Sequence, residues 1–233
     1  MKLEEAQKIL SQIPNVPFNQ LFSEEQLNND IIRNKGKAGQ LLESITLNLK
    51  LSSAHLDFDD GELKSCCFYT DGTPKETIAV CVIKSIFDDL LNEEQDYTQS
   101  YPYEKMVNML ITSIGKYKRG TSTVLNPRDW SILQCIHVDF SNEKYAAFAA
   151  QVAEDLKSIF SQVKRDIDDG KNISTTNGKY IQIRPKDNGG DNNRPIYSKY
   201  ANRYVSHCNY AIYIMKDGIN EILKIAEDVK NAA

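Results

Sequence analysis

At 233 residues, 41% of them hydrophobic, the chain is long enough to bury a core without disulfide or metal staples, and its formal charge of -4 excludes a generic basic nucleic-acid coat while leaving room for a specific DNA enzyme with a local basic cleft. Its five cysteines contain no CxxC pair, which supports neither a disulfide framework nor a thiolate zinc site. No run of about twenty apolar residues marks a membrane span, and the opening Met1-Lys-Leu-Glu-Glu5 lacks the apolar core of a secretory signal, so a soluble cytoplasmic protein with no membrane partner is expected.

In chain order, Leu3, Ala6, Ile9, Leu10 and Ile13 form a helical stripe that ends at the Pro14 to Pro17 segment. Ser23-Glu-Glu-Gln26 reads as a capping box opening a second short helix. A third helix follows, with Ala38, Leu41, Leu42, Ile45 and Leu49 on its buried face. Glu43 lies off that stripe, Lys35 and Lys37 stand at the helix entrance where an anion is stabilised, and Gly39 leaves room for a close neighbour such as a phosphate backbone.

Asp57 to Lys64 carries the densest chemistry. Glu62-Leu63-Lys64 opens a strand running to Tyr69, and the two-residue period of a strand places Glu62 and Lys64 on one face. Asp57 precedes them across an acidic segment ending in Gly61, which lets the chain return a second carboxylate beside Glu62; Asp59 and Asp60 compete with it for that place. Two carboxylates and an ammonium suit Mg²⁺, which takes one or two protein carboxylates and keeps several waters, so the segment reads as a metal-dependent nuclease centre. His55, His137 and His207 have no metal-ligand spacing.

Thr70 to Pro74 reads as a turn returning the chain as a hairpin through Thr77 to Ile83, whose continuous apolar run suits a strand covered on both faces. Ile86 to Leu91 and Met106 to Ile114 read as helical patches, and Lys116 to Gly120 as a solvated basic turn. Ile132 to Phe140 reads as a strand, followed by a long helix from Tyr145 to Ile167, capped by Ser141 and stopped at Gly170. Lys179 to Lys186 reads as a strand with a basic tip leading into the loop 187–193, Tyr210 to Met215 as the last strand, and Asp217 as the cap of the closing helix. The expected fold class is α/β or α+β, with a mixed central sheet flanked by helices.

Several of these pieces resemble, in the same order, the MutH mismatch-repair endonuclease and the Sau-type restriction enzymes that cut at GATC. Lys35-Gly-Lys-Ala-Gly-Gln-Leu-Leu-Glu43 is similar to the family's KGxxGxLLE helix, Asp57 to its catalytic aspartate, Glu62-Leu-Lys64 to its ELK strand, Tyr180 to Lys186 to its YLQIRPK segment, and Ile212 to Lys216 to its FYLKK strand. Asp217 stands where the family has a second lysine, and Asp57 lies closer to Glu62 than the family's longer gap.

The resemblance implies a restriction-endonuclease-like PD-(D/E)xK fold in one domain, residues 1–233, with an N-terminal catalytic lobe (about 1–140) and a C-terminal recognition lobe (about 141–233). It implies Mg²⁺ held by Asp57 and Glu62, a water positioned by Lys64, support from Glu43, and Lys105, paired with Ser100, near the scissile phosphate. It implies double-stranded DNA contacted by Lys35, Arg184, Pro185 and Lys186, with Tyr213 sensing adenine and its methylation. The activity expected is that of a type II restriction endonuclease acting as a homodimer on DNA. Two alternatives are a mismatch-repair nickase with a MutL-type partner and a DNA-binding module with an inactive centre.

Overall fold

The computed structural model describes residues 1–27, 30–33, 36–48, 56–92, 94–121, 123–186 and 194–232. The fold is α+β and divides into two compact units, one of Met1–Thr77, Asn108–Asp139 and Ala226–Ala233, the other of Ile78–Val107 and Phe140–Ile225. Residues 78–107, expected with the N-terminal lobe, cluster with the C-terminal part of the chain. Among the described residues no helix is long and apolar enough to cross a membrane.

The first unit is built on a mixed three-stranded sheet. Strand β1 (Glu62–Tyr69) runs parallel to β3 (Asn108–Tyr117), which runs antiparallel to β4 (Ser131–Asp139). The central strand β3 is buried from Met109 to Lys116, so its side chains show no polar alternation. That loss of alternation is why Met106 to Ile114 reads as helical although nearly all of it is strand, the helix ending at Val107. Lys116 is also in β3 rather than in a solvated turn, with its ammonium 4.4 Å from the Trp130 ring centroid. The exposed turn is Lys118 to Gly120, and Gly120 supplies the left-handed φ of 79° it needs.

Helix α1 (Leu3–Leu10) places Leu3, Ala6 and Leu10 in the core with Leu63 and Leu110. The four-residue α2 (Phe18–Leu21) sets Phe18 edge-on to Trp130. The capping box forms, Ser23 N donating to Gln26 Oε1 at 2.8 Å, but it closes a turn, and helix α3 begins only at Asp30 (Asp30–Arg33). Helix α4 (Lys37–Leu41) widens into a π-helix at Leu42–Thr46, closed by Leu47 N donating to Leu42 O at 3.0 Å. The single straight helix expected here is therefore interrupted at Glu43, while Leu49 lies outside the described residues.

The hairpin expected between β1 and the next strand does not form. Lys75 N and Glu76 N both donate to Cys67 O, after which the chain leaves, and β2 (Ile78–Val82) pairs antiparallel with β9 (Tyr210–Ile214) in the sheet of the second unit. That sheet has the order β2-β9-β6-β5, with β6 (Ile181–Pro185) and β5 (Thr176–Asn177) completing it. Its central strand β9 is buried at every position, which its apolar run Tyr-Ala-Ile-Tyr-Ile requires.

Helices α5 (Phe87–Leu90), α6 (Tyr101–Val107) and α7 (Ala146–Asp168) belong to the same unit, and α7 buries Phe148, Val152, Leu156, Ile159 and Val163. A 3-10 turn at Glu143–Tyr145 leads into α7, capped by Asn142 Oδ1, which accepts from Lys144 N, rather than by Ser141. Gly170, at φ 78°, ends the helix as expected, its N–H donating to Ile167 O. Mid-helix, the buried Asp155 accepts the backbone N–H groups of Lys179, Tyr180 and Ile181, at 2.9, 2.6 and 3.0 Å, and so fixes the entry to β6. Gly178 is required beside it, because a Cβ there would fall 2.5 Å from Asp155 Cγ. A small pair of strands, β7 (Tyr197–Ser198) and β8 (Arg203–Tyr204), precedes β9, and α8 (Lys216–Ala232) closes the chain with Asp217 in its first turn.

Candidate active site

The acidic segment before β1 is a loop tied down at several points. Phe58 N donates to Gly61 O at 2.9 Å, and Gly61 has no room for a side chain, since a Cβ would lie 2.6 Å from both Asn108 O and Leu3 Cδ1. Asp60 Oδ1 accepts from Leu3 N at 2.8 Å and Asp60 O from Asn108 Nδ2 at 2.6 Å, while Asn108 Oδ1 bonds His137 Nε2 at 2.6 Å. Asp59 is tied the same way, its N–H donating to Met1 O and its carboxylate facing the Met1 amine. Asp59 and Asp60 are therefore tied to the start of the chain and of α1, and Asp60 O also to Asn108 at the start of β3.

Asp57 is placed differently. It is half-buried, and its Oδ2 accepts from Leu63 N at 3.0 Å, which holds the carboxylate at the start of β1. Glu62, 4% exposed, and Lys64 share a strand face as expected, and Lys64 Nζ donates to Glu62 Oε1. Glu43 reaches the same group from the π-helix. Burial raises its carboxyl above the usual carboxylate range, the Asp57 charge raises it further, Lys64 pulls it back down, and Glu62 adds a smaller upward push. Glu43 thus lies within electrostatic reach of Asp57, Lys64 and Glu62, all in the first unit.

Gly39 makes room for a neighbour, and that neighbour is protein rather than phosphate. A Cβ at Gly39 would meet Ser65 Oγ at 3.2 Å and Glu43 Oε1 at 3.8 Å, so the glycine lets α4 lie against β1 and brings Glu43 close to the strand. Among the described residues no three His, Cys, Asp or Glu side chains are set together as a metal cage.

No protein-family model matches the chain, and no curated protein matches it.

The remaining expected residues lie in the second unit or outside the described residues. Lys105, 5% exposed in α6, holds its Nζ 5.5 Å from the Tyr101 ring centroid. Ser100 starts that helix, its Oγ accepting from Tyr103 N at 3.4 Å and donating to Tyr97 O at 2.7 Å. Arg184, Pro185 and Lys186 form the tip of β6, where Lys186 N donates to Asn209 O at 2.9 Å. Tyr213 is only 8% exposed, and the Arg184 guanidinium carbon lies 4.2 Å from its ring centroid, so the ring is a shelf that orients a planar cation. Lys35, His55 and residues 187–193 lie outside the described residues.

Asn108 and His137 went unremarked in the sequence as partners of the acidic loop. Nothing local marks them, because Asn108 is the first residue of a strand that pairs with β1 from far along the chain, at Glu62↔Met109.

Proposed function

We propose that the chain is a Mg²⁺-dependent, site-specific DNA endonuclease of the type II restriction kind, acting at a short duplex site related to GATC. The observation that carries this reading is the Lys64 ammonium seated on Glu62 Oε1, with Asp57 held at the start of the same strand and with Glu43, raised first by burial and then by the Asp57 charge, within electrostatic reach of all three. The donor set fits Mg²⁺, since its ligands are hard carboxylate oxygens carrying surplus negative charge in a partly buried place, and two protein carboxylates suffice. Asp57 and Glu62 would hold the ion, and the ion supplies Lewis acidity and charge neutralisation at the scissile phosphate.

The side chains of the protein do the rest. Lys64 Nζ, held on Glu62 Oε1, orients the attacking water and lends positive charge beside the scissile phosphate. Glu43, raised by its burial and then by Asp57 and drawn back by Lys64, supports that lysine from the π-helix. Arg184 and Lys186 offer donors to base edges and phosphates, and Tyr213 keeps the Arg184 plane ready for bidentate pairing.

Plasmid bearing GATC sites, methylated and unmethylated, incubated with the protein in Mg²⁺ or EDTA tests the reading. Discrete double-strand fragments in Mg²⁺ alone are expected. Nicks that require a MutL-type partner would assign the centre to mismatch repair, and binding without cleavage in any divalent cation would overturn the enzyme reading.

A further inference from the structure

Among the described residues the exposed large apolar side chains are Ile9, Ile32, Tyr197, Tyr200 and Tyr204, at 36, 40, 46, 51 and 62%. The three most exposed all lie in the β7–β8 hairpin, between positions 197 and 204. Scattered surface aromatics need no explanation, but three on one hairpin do. The segment from Arg194 to Tyr204 also interleaves them with Arg194, Lys199 and Arg203 and contains no acid, in a chain whose formal charge is -4.

The hairpin is anchored from beneath. Asp88 accepts from Ser198 Oγ and Lys199 N at 2.7 and 2.8 Å, and the Arg203 guanidinium donates to Ile167 O and Lys171 O at 3.1 and 2.7 Å. Arg203 is thus spent on the fold, whereas Arg194 and Lys199 are exposed. The Tyr197 hydroxyl donates to Asn202 Oδ1 at 2.7 Å, and its ring stands edge-on to Tyr204, with centroids 5.3 Å apart. Tyr197 therefore props Tyr204 outward. Tyr200 is turned aside, its hydroxyl donating to Asp168 at 2.7 Å. An anchored hairpin that presents the Tyr204 hydroxyl and Lys199, with Arg194 exposed just ahead of β7, loses little backbone freedom when it binds a polyanion.

We propose that this hairpin is a second DNA contact, separate from the β6 tip, that grips the phosphate backbone without reading sequence: Arg194 and Lys199 pair with phosphates, and the Tyr204 hydroxyl donates to a phosphate oxygen. The inference rests on the endonuclease reading for its ligand, and positive charge with aromatic edges fits a DNA backbone better than an apolar protein face.

Fluorescence anisotropy of the full chain with two short labelled duplexes, one containing GATC and one scrambled, in Ca²⁺ over a salt series, tests it. The double variant Arg194→Ala/Lys199→Ala should bind both duplexes about tenfold more weakly, and the slope of log affinity against log salt should fall by about 2. Tyr204→Phe should weaken both duplexes about threefold with no change in slope, since a neutral hydrogen bond is lost. An unchanged thermal midpoint shows that the variants are folded. Wild-type binding with unchanged affinity and slope in the variants overturns the hairpin contact and leaves the endonuclease reading standing. Failure of the wild type to bind either duplex overturns both. A change in sedimentation mass, with DNA affinity intact, would make the face a protein interface and overturn the DNA assignment.

Discussion

Three aspartates compete for one role in the acidic loop, and their partners separate them. Asp59 and Asp60 are bound to Met1 and Leu3, whereas Asp57 accepts from Leu63 N at the start of β1 and its charge is felt at Glu43. Asp57→Asn should therefore lower cleavage at least about a hundredfold, while Asp59→Asn stays within a few-fold of wild type in the same assay. Lys64→Ala should lose at least about a hundredfold in cleavage and keep duplex affinity in a Ca²⁺ binding assay. The cysteines give a further check at this scale. Burial pushes the Cys135 thiol up to about 12 and raises Cys66 as well, so both stay protonated near pH 8 and thiolate appears only as the pH rises toward those values. Cys66 and Cys135 should be the slowest of the five to react with a thiol reagent at pH 8, as read by mass spectrometry; rapid labelling of either would contradict this burial.

At the scale of elements, Asp155 shows how a buried charge can hold a fold without doing chemistry. It ties the middle of α7 to the entry of β6 through three backbone N–H groups, and Gly178 exists to admit it. Asp155→Ala should destabilise the protein by about 3 kcal/mol in urea unfolding, because two buried donors and one part-buried donor lose their acceptor; a change below about 1 kcal/mol would contradict that role. The same scale shows what the sequence could and could not reveal. Glu62 and Lys64 were legible because a strand's two-residue period is local, and α7 because its stripe repeats for over twenty residues. Strand β3 was not, since a strand buried on both faces carries no alternation, and the β1–β2 hairpin was misread because the turn at Thr70 to Pro74 is real while the strand pairings on either side of it are set by distant partners. What sets Asp57 apart from Asp59 and Asp60 was hidden for the same reason, since the partners of those two are Met1, Leu3 and Asn108, all distant in the chain.

For the whole molecule, a single centre cuts one strand at a time, so the proposed double-strand cut takes either two copies on one site or two binding events, and we propose the first. Mixing wild type with excess Lys64→Ala should then convert linear product into nicked circles, as one strand of each site meets a dead centre; linear product alone from such mixtures would contradict pairing on DNA. Glu43, Asp57, Glu62 and Lys64 fall in one unit and Arg184, Lys186 and Tyr213 in the other. The most direct measurement is single-turnover cleavage of a GATC duplex by wild type, Asp57→Asn, Asp59→Asn and Lys64→Ala, with Mg²⁺ and with EDTA. Cleavage by wild type and Asp59→Asn in Mg²⁺ alone, with Asp57→Asn and Lys64→Ala inactive, is the expected result. Full activity in Asp57→Asn or Lys64→Ala, or wild-type cleavage that persists in EDTA, would contradict the proposed centre.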